Sequence, residues 1–219
     1  MRKRIAVLVS GNGSNLERLV ELTGNGSING TVSLVIASNE RAFAIERARD
    51  HGIDVHTLNS SEYSNSICYC DSILEKLDDY NIDLVILAGF LKILAGRVLD
   101  NFKDRIINLH PSLIPNFCGK GMYGERVHRA VLESGMKETG VTVHFVDEGT
   151  DTGPIILQKA VPVLVNDTVK TLAARISEVE HRLLPRAVHL FCQDRLRVEK
   201  RRVIIDGGGD EDGFTECLE

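Results

Sequence analysis

The amino-acid sequence predicts an α/β fold with a mostly parallel central sheet flanked by helices and an antiparallel β addition in the C-terminal half. Short apolar runs alternate with helical periodicity through the first half of the chain. That alternation is typical of parallel strands joined by right-handed crossovers. In the second half, two β-rich runs are separated by the turn TDTGP, which predicts a hairpin-like pair.

The first half opens with a strand at residues 6–9 (AVLV), whose continuous apolar run indicates a strand covered on both faces. A glycine turn follows, and then a helix that Ser14 or Asn15 is expected to cap. The next elements are predicted as a strand at 31–38, a helix at 41–52, a strand at 54–58, a helix towards the end of 60–80, a strand at 83–90, a short helical piece and a strand within 105–115.

In the second half, the runs 140–149 and 154–164 predict the two strands of the hairpin. A long helix is expected over 167–191, with Thr168 as an early cap and Pro185 either kinking the helix or opening a new segment. A terminal β-pair is expected within 195–206. We therefore assign one domain to residues 1–205 and expect the acidic, glycine-rich tail at 206–219 to be disordered.

Composition narrows the class of protein. A chain of 219 residues with 43% hydrophobic residues suits one large α/β domain. The net charge of -5 provides no basic field for nucleic acid. The basic start MRKR is followed by too few apolar residues for a signal peptide or membrane span. Five cysteines without paired C-x-x-C spacing indicate reduced thiols, so we expect a cytoplasmic protein.

The first glycine turn, SGNGSN, lies between a strand and a helix, where backbone N–H groups and the helix dipole form an anion site. Polar residues also end the later strands, and ligands of parallel sheets bind beyond these carboxyl ends. Leu16 stands where the dinucleotide fingerprint needs a third glycine, which disfavours a nicotinamide cofactor. The turn is equally compatible with a phosphate site and with tight chain geometry alone.

Two polar groups have the chemistry of a catalytic site. Asn108 and His110 lie two residues apart at the end of a predicted strand, so their side chains share one face. An asparagine amide stabilises an oxyanion, and a histidine exchanges protons near neutral pH. The acids Asp147, Glu148 and Asp151 follow on a glycine-punctuated loop, where a carboxylate beside His110 would favour the imidazolium and orient the ring. A satisfied polar pair and a solvated acidic turn remain the alternatives.

Together these motifs resemble the glycinamide ribonucleotide formyltransferases, a family of formyltetrahydrofolate-dependent transferases. The resemblance rests on SGNGSNL, LAGFLKIL, NLHPSLIP, VTVHFVDEGTDTGPIILQ and EVEHRLLP, and it spans residues 5 to about 190. It implies a Rossmann-like fold and formyl transfer from 10-formyltetrahydrofolate to the amine of 5-phosphoribosylglycinamide in de novo purine biosynthesis. It also implies a monomer or homodimer that needs no metal, nucleic acid or membrane.

The resemblance implies a role for each matching residue. Its catalytic set is Asn108, His110 and Asp151, its ribonucleotide-binding residues are Gly13, Ser14, Asn15 and Glu180, and its folate-binding residues are Leu91, Lys92, Ile93, Leu94, Asp147 and Glu148. The chain departs from the pattern in two places. Residues 116–125 form a longer loop in which Lys120 or Tyr123 could touch substrate, and Ser66 falls near a folate-binding arginine of some relatives.

Other functions share part of this pattern. A formyltetrahydrofolate hydrolase would use the same catalytic set but usually carries an extra N-terminal domain, for which we expect no room before the first strand. A methionyl-tRNA formyltransferase would need a C-terminal RNA-binding domain and a basic surface. A non-catalytic ribonucleotide-binding module would keep the phosphate site and show no folate dependence.

Overall fold

A computed structural model describes residues 1–207 of the chain, which forms two compact units, one of Met1–Asn108 and one from Leu109 onward. The strands of the first unit are all parallel and lie in the order β3-β2-β1-β4-β5. They are β1 (Lys3–Val9), β2 (Gly30–Ala37), β3 (Val55–Thr57), β4 (Leu84–Leu87) and β5 (Ile106–His110), whose last two residues belong to the second unit. The helices are α1 (Ser14–Gly24), α2 (Ala44–Asp50), α3 (Ser66–Asp79) and α4 (Arg97–Asn101), with a 3-10 turn at Ser60–Glu62.

The core of the first unit confirms that its apolar runs are covered strands. Each residue from Ile5 to Val9 is 0% exposed, and β4 is buried throughout. Helix α1 buries Leu16 and Leu19, and α3 buries Ile73 and Leu77. Apolar residues spaced three or four apart form one face of a helix, so these two helices bury a continuous stripe of their surface.

The start of α1 differs from the expectation that Ser14 or Asn15 caps it. Gly13 occupies the cap position with φ 79, in the left-handed region, and no side chain hydrogen-bonds there as a cap. A Cβ on Gly13 would lie 2.6 Å from the Cβ of Ala44. The cap prediction was wrong because the close approach of α2 requires glycine at this turn, and the cap residue therefore has no side chain.

Between residues 111 and 207, the described part of the second unit combines two helices with four strands in the order β6-β7-β9-β8. Its elements are α5 (Glu125–Ser134), β6 (Glu138–Phe145), β7 (Ile155–Pro162), α6 (Val169–Cys192), β8 (Leu196–Glu199) and β9 (Arg202–Ile205). Strands β6 and β7 are antiparallel, as are β8 and β9, whereas β7 and β9 pair in parallel. Both pairs predicted in the second half are confirmed.

Helix α6 confirms one expectation and excludes one of the two alternatives stated for Pro185. Thr168 caps the helix in a capping box with Thr171, as predicted. Pro185 does not open a new segment, because the helix continues from Val169 to Cys192 with the proline inside it. Leu184, Pro185 and Val188 are buried, so apolar packing offsets the hydrogen bond that proline cannot donate.

The predicted α/β class, with a mostly parallel sheet and antiparallel strands in the C-terminal half, is confirmed. The domain boundary at residue 205 stays a prediction. Of the tail predicted at 206–219, residues 208–219 lie outside the described part of the chain. Within residues 1–207, no helix combines the length and the apolar character that a membrane crossing requires.

Candidate active site

The glycine turn between β1 and α1 is held by the start of α2. The N–H of Ala44 donates to the carbonyl of Gly11 at 3.2 Å. The Arg47 guanidinium donates to both the carbonyl and the side-chain oxygen of Asn12, at 3.0 and 3.2 Å. These bonds fix the backbone of the turn, and Gly13, Ser14 and Asn15 lie where the N–H groups of a helix start attract an anion.

Behind the turn, Glu17 holds two basic side chains. One carboxylate oxygen lies 2.6 Å from Nε2 of His51, and the other accepts from Arg47 at 3.0 Å. The hydrogen bonds to His51 and Arg47 lower the pKa of Glu17 below its ordinary value, and the bond to His51 has the larger effect. The ionised Glu17 thus positions the same arginine that holds Asn12.

The segment Leu91–Leu94 follows β4 and offers an apolar surface. Leu94 is 4% exposed, whereas Leu91 and Ile93 are 52% and 54% exposed. Before the segment, Gly89 has φ 69, so the chain turns there in a conformation that favours glycine. A buried anchor beside two exposed apolar side chains makes this segment a candidate surface for an apolar part of a ligand.

At the far end of this segment, the side chain of Cys70 on α3 makes two backbone contacts. Its sulfur accepts from the N–H of Ala95 at 3.3 Å and donates to the carbonyl of Ile93 at 3.9 Å. Burial raises the pKa of the Cys70 thiol, so the thiol keeps the proton that it donates. Sequence reasoning missed this contact because only the tertiary structure brings α3 beside the segment.

His110 ends strand β5, two residues after the half-buried Asn108, and is 4% exposed. Its Nε2 lies 2.9 Å from the carbonyl of Phe117, which can only accept a hydrogen bond, so Nε2 carries a proton. Its Nδ1 lies 3.6 Å from Oδ2 of Asp151. The predicted pairing of this histidine with a loop carboxylate is therefore present.

Asp151 lies in the loop between β6 and β7 with φ 58, an uncommon conformation for a residue other than glycine. Its Oδ2 accepts from the N–H of Gly119 at 2.8 Å. Two residues later, a Cβ on Gly153 would lie 1.8 Å from the carbonyl oxygen of Phe145. Glycine at 153 thus lets the loop fold back against the end of β6 and carry Asp151 to His110.

A second histidine, His144 on β6, was not singled out from the sequence. It is 1% exposed, and its Nε2 lies 3.9 Å from Oδ1 of Asp151. Its Nδ1 lies 2.8 Å from the carbonyl of Phe145 and must donate to it. Burial lowers the pKa of His144, so the ring stays neutral near pH 7. The available signal was a histidine within an apolar strand that leads into the acidic loop.

The remaining predicted site residues lie on the same loop and on α6. Asp147 accepts from the N–H of Gly149 at 3.1 Å and from the hydroxyl of Thr152 at 2.5 Å, so its carboxylate orders the loop. Glu148 is exposed, and Glu180 on α6 is half-buried. The ligand contacts predicted for these three acids stay predictions.

The two departures from the family pattern are also visible. Tyr123 is 40% exposed, with the Arg126 guanidinium over its ring, and Lys120 is exposed. Ser66 begins α3 directly after its cap, Asn65.

The predicted absence of a metal stays a prediction, although no group of three or more potential metal ligands occurs within residues 1–207.

The family model described as "Formyl transferase" matches residues 3–188. This match covers strand β5, the acidic loop and the glycine turn. The chain therefore belongs to the formyl transferase family, a class of enzymes.

Relatives with known names indicate which kind of formyl transferase this chain resembles. Phosphoribosylglycinamide formyltransferase of Escherichia coli (strain K12) is 38% identical over 93% of both chains. The chloroplastic enzyme of that name from Arabidopsis thaliana is 42% identical over 90% of this chain and 68% of its own length. The crystal structure of glycinamide ribonucleotide transformylase 1 from Symbiobacterium toebii superposes with a TM-score of 0.88, at 44% identity and 93% coverage of each chain. The resemblance seen in the sequence is confirmed.

Proposed function

We propose that this protein transfers the formyl group of 10-formyltetrahydrofolate to the amine of 5-phosphoribosylglycinamide in de novo purine biosynthesis. The observation that carries the proposal is the buried His110, whose Nδ1 lies 3.6 Å from Oδ2 of Asp151. His110 lies on the same strand as Asn108. The names of the Escherichia coli and Symbiobacterium toebii relatives support the choice of acceptor.

The glycine turn is proposed to bind the ribonucleotide phosphate. Gly13, Ser14 and Asn15 supply backbone N–H groups at the start of α1, where the helix dipole favours an anion. The Arg47 guanidinium, which lies 3.0 Å from the carbonyl of Asn12 and is paired with Glu17, holds the backbone of the turn in place for the phosphate. Glu180 is proposed to accept hydrogen bonds from the hydroxyl or amide groups of the same substrate.

The formyl folate is proposed to contact residues 91–94 and the acidic loop. The exposed side chains of Leu91 and Ile93 suit the flat face of a pterin. Asp147 and Glu148 supply carbonyl and carboxylate acceptors for the polar edge of the ring. This formyl donor is a cosubstrate, and the reaction as proposed needs no metal.

The chemistry begins when the glycinamide amine attacks the formyl carbon, which gives a tetrahedral intermediate with a negatively charged oxygen. The amide of Asn108 donates to that oxygen, and the positive charge of the protonated His110 stabilises it. The carbon–nitrogen bond to folate then breaks, the attacking amine loses a proton, and the folate nitrogen gains one. The products are formylglycinamide ribonucleotide and tetrahydrofolate.

Asp151 is proposed to stabilise the positive charge that His110 carries when it receives a second proton. Nε2 already carries a proton because it faces the carbonyl of Phe117 at 2.9 Å. A second proton on Nδ1 gives the imidazolium, and the carboxylate 3.6 Å away stabilises that charge. His110 can then assist proton transfer to the departing folate nitrogen.

The test is a spectrophotometric formyl-transfer assay with purified protein, 10-formyl-5,8-dideazafolate and glycinamide ribonucleotide, with a parallel reaction that lacks the ribonucleotide. We expect product only when the ribonucleotide is present. The variant His110→Ala is the matched control, because it removes the proposed donor and should leave binding of both substrates measurable.

Two other outcomes would contradict the proposal. Formate release without ribonucleotide at a comparable rate would indicate a formyltetrahydrofolate hydrolase. Tight ribonucleotide binding without turnover would indicate a non-catalytic binding module. The cytoplasmic location and the monomeric or homodimeric state stay predictions, and the Arabidopsis relative carries the description chloroplastic.

A further inference from the structure

Ser10 joins the two segments that the proposed function assigns to different substrates. It follows β1 and directly precedes the glycine turn. Its hydroxyl oxygen accepts from the N–H of Leu91 at 2.9 Å, and its own N–H donates to the carbonyl of Gly89 at 3.2 Å. Ser10 therefore holds both sides of the bend that leads from β4 into residues 91–94.

The end of β2 fixes Ser10 from another direction. The hydroxyl of Ser38, which is 3% exposed, donates to the hydroxyl oxygen of Ser10 at 2.7 Å. The Asn39 amide donates to the carbonyl of Ser10 at 3.1 Å. These bonds and the bond from Leu91 form one hydrogen-bond network at Ser10, so a ligand that orders the glycine turn acts on the oxygen to which Leu91 donates.

The far end of the same segment is held by a different side chain. The sulfur of Cys70 contacts Ala95 and Ile93 from α3, and Leu94 is buried. Loss of Cys70 would loosen the segment without changing the residue that precedes the glycine turn. Ser10 contacts both the glycine turn and residues 91–94, whereas the hydrogen bonds of Cys70 lie at the far end of the segment. Comparing variants of the two residues therefore separates coupling between the two regions from stabilisation of the segment alone.

We propose that the Ser10 hydroxyl couples ligand binding at the glycine turn to ligand binding at Leu91–Leu94, so that each ligand raises the affinity for the other. A phosphate held by the turn restricts Ser10, and through its hydroxyl it restricts the N–H of Leu91. The second ligand then has less chain to order when it binds. Ser10 is a positioning residue, and the inference rests on the proposed function.

The experiment measures the coupling directly. 5,8-Dideazafolate, which lacks the formyl group and so permits no turnover, is titrated calorimetrically into the protein with and without saturating glycinamide ribonucleotide. The ratio of the two dissociation constants is the coupling factor, and we expect about fivefold or more in the wild type. The reverse titration must give the same factor, because linkage is reciprocal.

Variants distinguish coupling between the two ligand sites from simple stabilisation of residues 91–94. We expect Ser10→Ala to bring the factor close to one. The matched control is Ser33→Ala on β2, whose hydroxyl donates to the carbonyl of Thr31, and it should keep the wild-type factor. Cys70→Ala should weaken folate binding equally in both titrations and leave the factor unchanged, whereas Cys70→Ser should restore part of the affinity.

A second variant, Ser10→Cys, keeps a weaker hydrogen-bond acceptor. It replaces Ser10→Ala in the experiment if thermal unfolding shows that Ser10→Ala does not fold. We expect it to lower the factor. A wild-type factor of one overturns the coupling, as does a wild-type factor in a folded Ser10 variant. If the wild type catalyses formyl transfer in either of these cases, only the coupling is overturned. If the wild type neither binds the ribonucleotide nor turns over, the proposed function fails and the coupling fails with it.

Discussion

The glycine turn of the first unit and the His110–Asp151 pair of the second unit differ in how they are built. The turn is backbone that runs over consecutive residues 11–15, and its first two residues are exposed. The pair joins side chains 41 positions apart in the sequence, and their exposed fractions are only 5% and 12%. The glycine turn is formed by the local geometry of consecutive residues. The His110–Asp151 pair is formed where a loop folds back to the end of a strand.

This difference matches what each region is proposed to do. A row of backbone N–H groups at a helix start is suited to reversible binding of an anion. A proton-transferring imidazole works better where little water competes for its hydrogen bonds. Four predictions test the chemistry of the pair and the stability of the two units, in order of decreasing expected effect.

The variant Asp151→Asn should abolish most of the chemistry and leave the fold intact. Asparagine has the same shape, tolerates the left-handed backbone at φ 58 and can still accept from Gly119. Because the amide carries no charge to stabilise the imidazolium of His110, we expect kcat to fall about 10³-fold. Steady-state kinetics and a thermal unfolding curve check this, and turnover near that of the wild type would exclude Asp151 from the mechanism.

The variant Gly13→Ala should damage the turn itself. The new Cβ would lie 2.6 Å from the Cβ of Ala44, and φ 79 is unfavourable for alanine. We expect a loss of about 2 kcal/mol or more in the free energy of unfolding. Gly11→Ala is the control, because its Cβ would meet nothing within 4 Å. Equal losses of stability in both variants would show that the contact with α2 is not what requires glycine at 13.

Acid should lower the stability of the protein through a buried histidine of the second unit. His128 on α5 is 6% exposed, its Nδ1 is without a hydrogen-bond partner among the described residues, and burial lowers its pKa below 6.5 against the opposing effect of Glu125. The unfolded chain then binds a proton that the fold does not, so stability falls as the pH drops below 6.5.

The variant His128→Leu should remove this contribution. Urea unfolding between pH 6.5 and 5 should give a slope that is smaller by up to about 1.4 kcal/mol per pH unit. The buried His144 still contributes a slope of the same sign. An unchanged slope would mean that His128 protonates equally in the folded and unfolded chain.

The smallest effect is expected behind the glycine turn. Because the pKa of Glu17 is lowered in the fold, its contribution is present above pH 4.5 and is lost as the pH falls through the lowered value. Its side chain is 27% exposed, so Glu17→Gln should cost only about 1 kcal/mol at pH 7. This difference in the free energy of unfolding should disappear in acid.

Glu21→Gln is the matched control for Glu17→Gln, because Glu21 lies on the same helix and is paired with Arg18 at the surface. We expect that change to stay within about 0.5 kcal/mol. If urea unfolding shows Glu17→Gln and Glu21→Gln to be indistinguishable at pH 7, the pairs of Glu17 with His51 and Arg47 do not stabilise the turn.

The sequence by itself determined the elements and the candidate residues. Continuous apolar runs such as residues 5–9 predict buried strands because burial on both faces leaves no polar alternation. The cap Thr168 was predictable because capping depends on a few adjacent residues. Asn108, His110 and Asp151 could be named as candidates because their types and positions suit the chemistry.

Only the tertiary structure decided which distant groups meet. The approach of Ala44 made Gly13 the cap in place of Ser14, and packing carried α6 through Pro185. His144 beside Asp151, Cys70 beside Ile93 and Ser10 beside Leu91 are all contacts between separate elements. Local propensity acts over a few residues, whereas these contacts depend on how helices and strands pack. No local sequence pattern therefore predicts them.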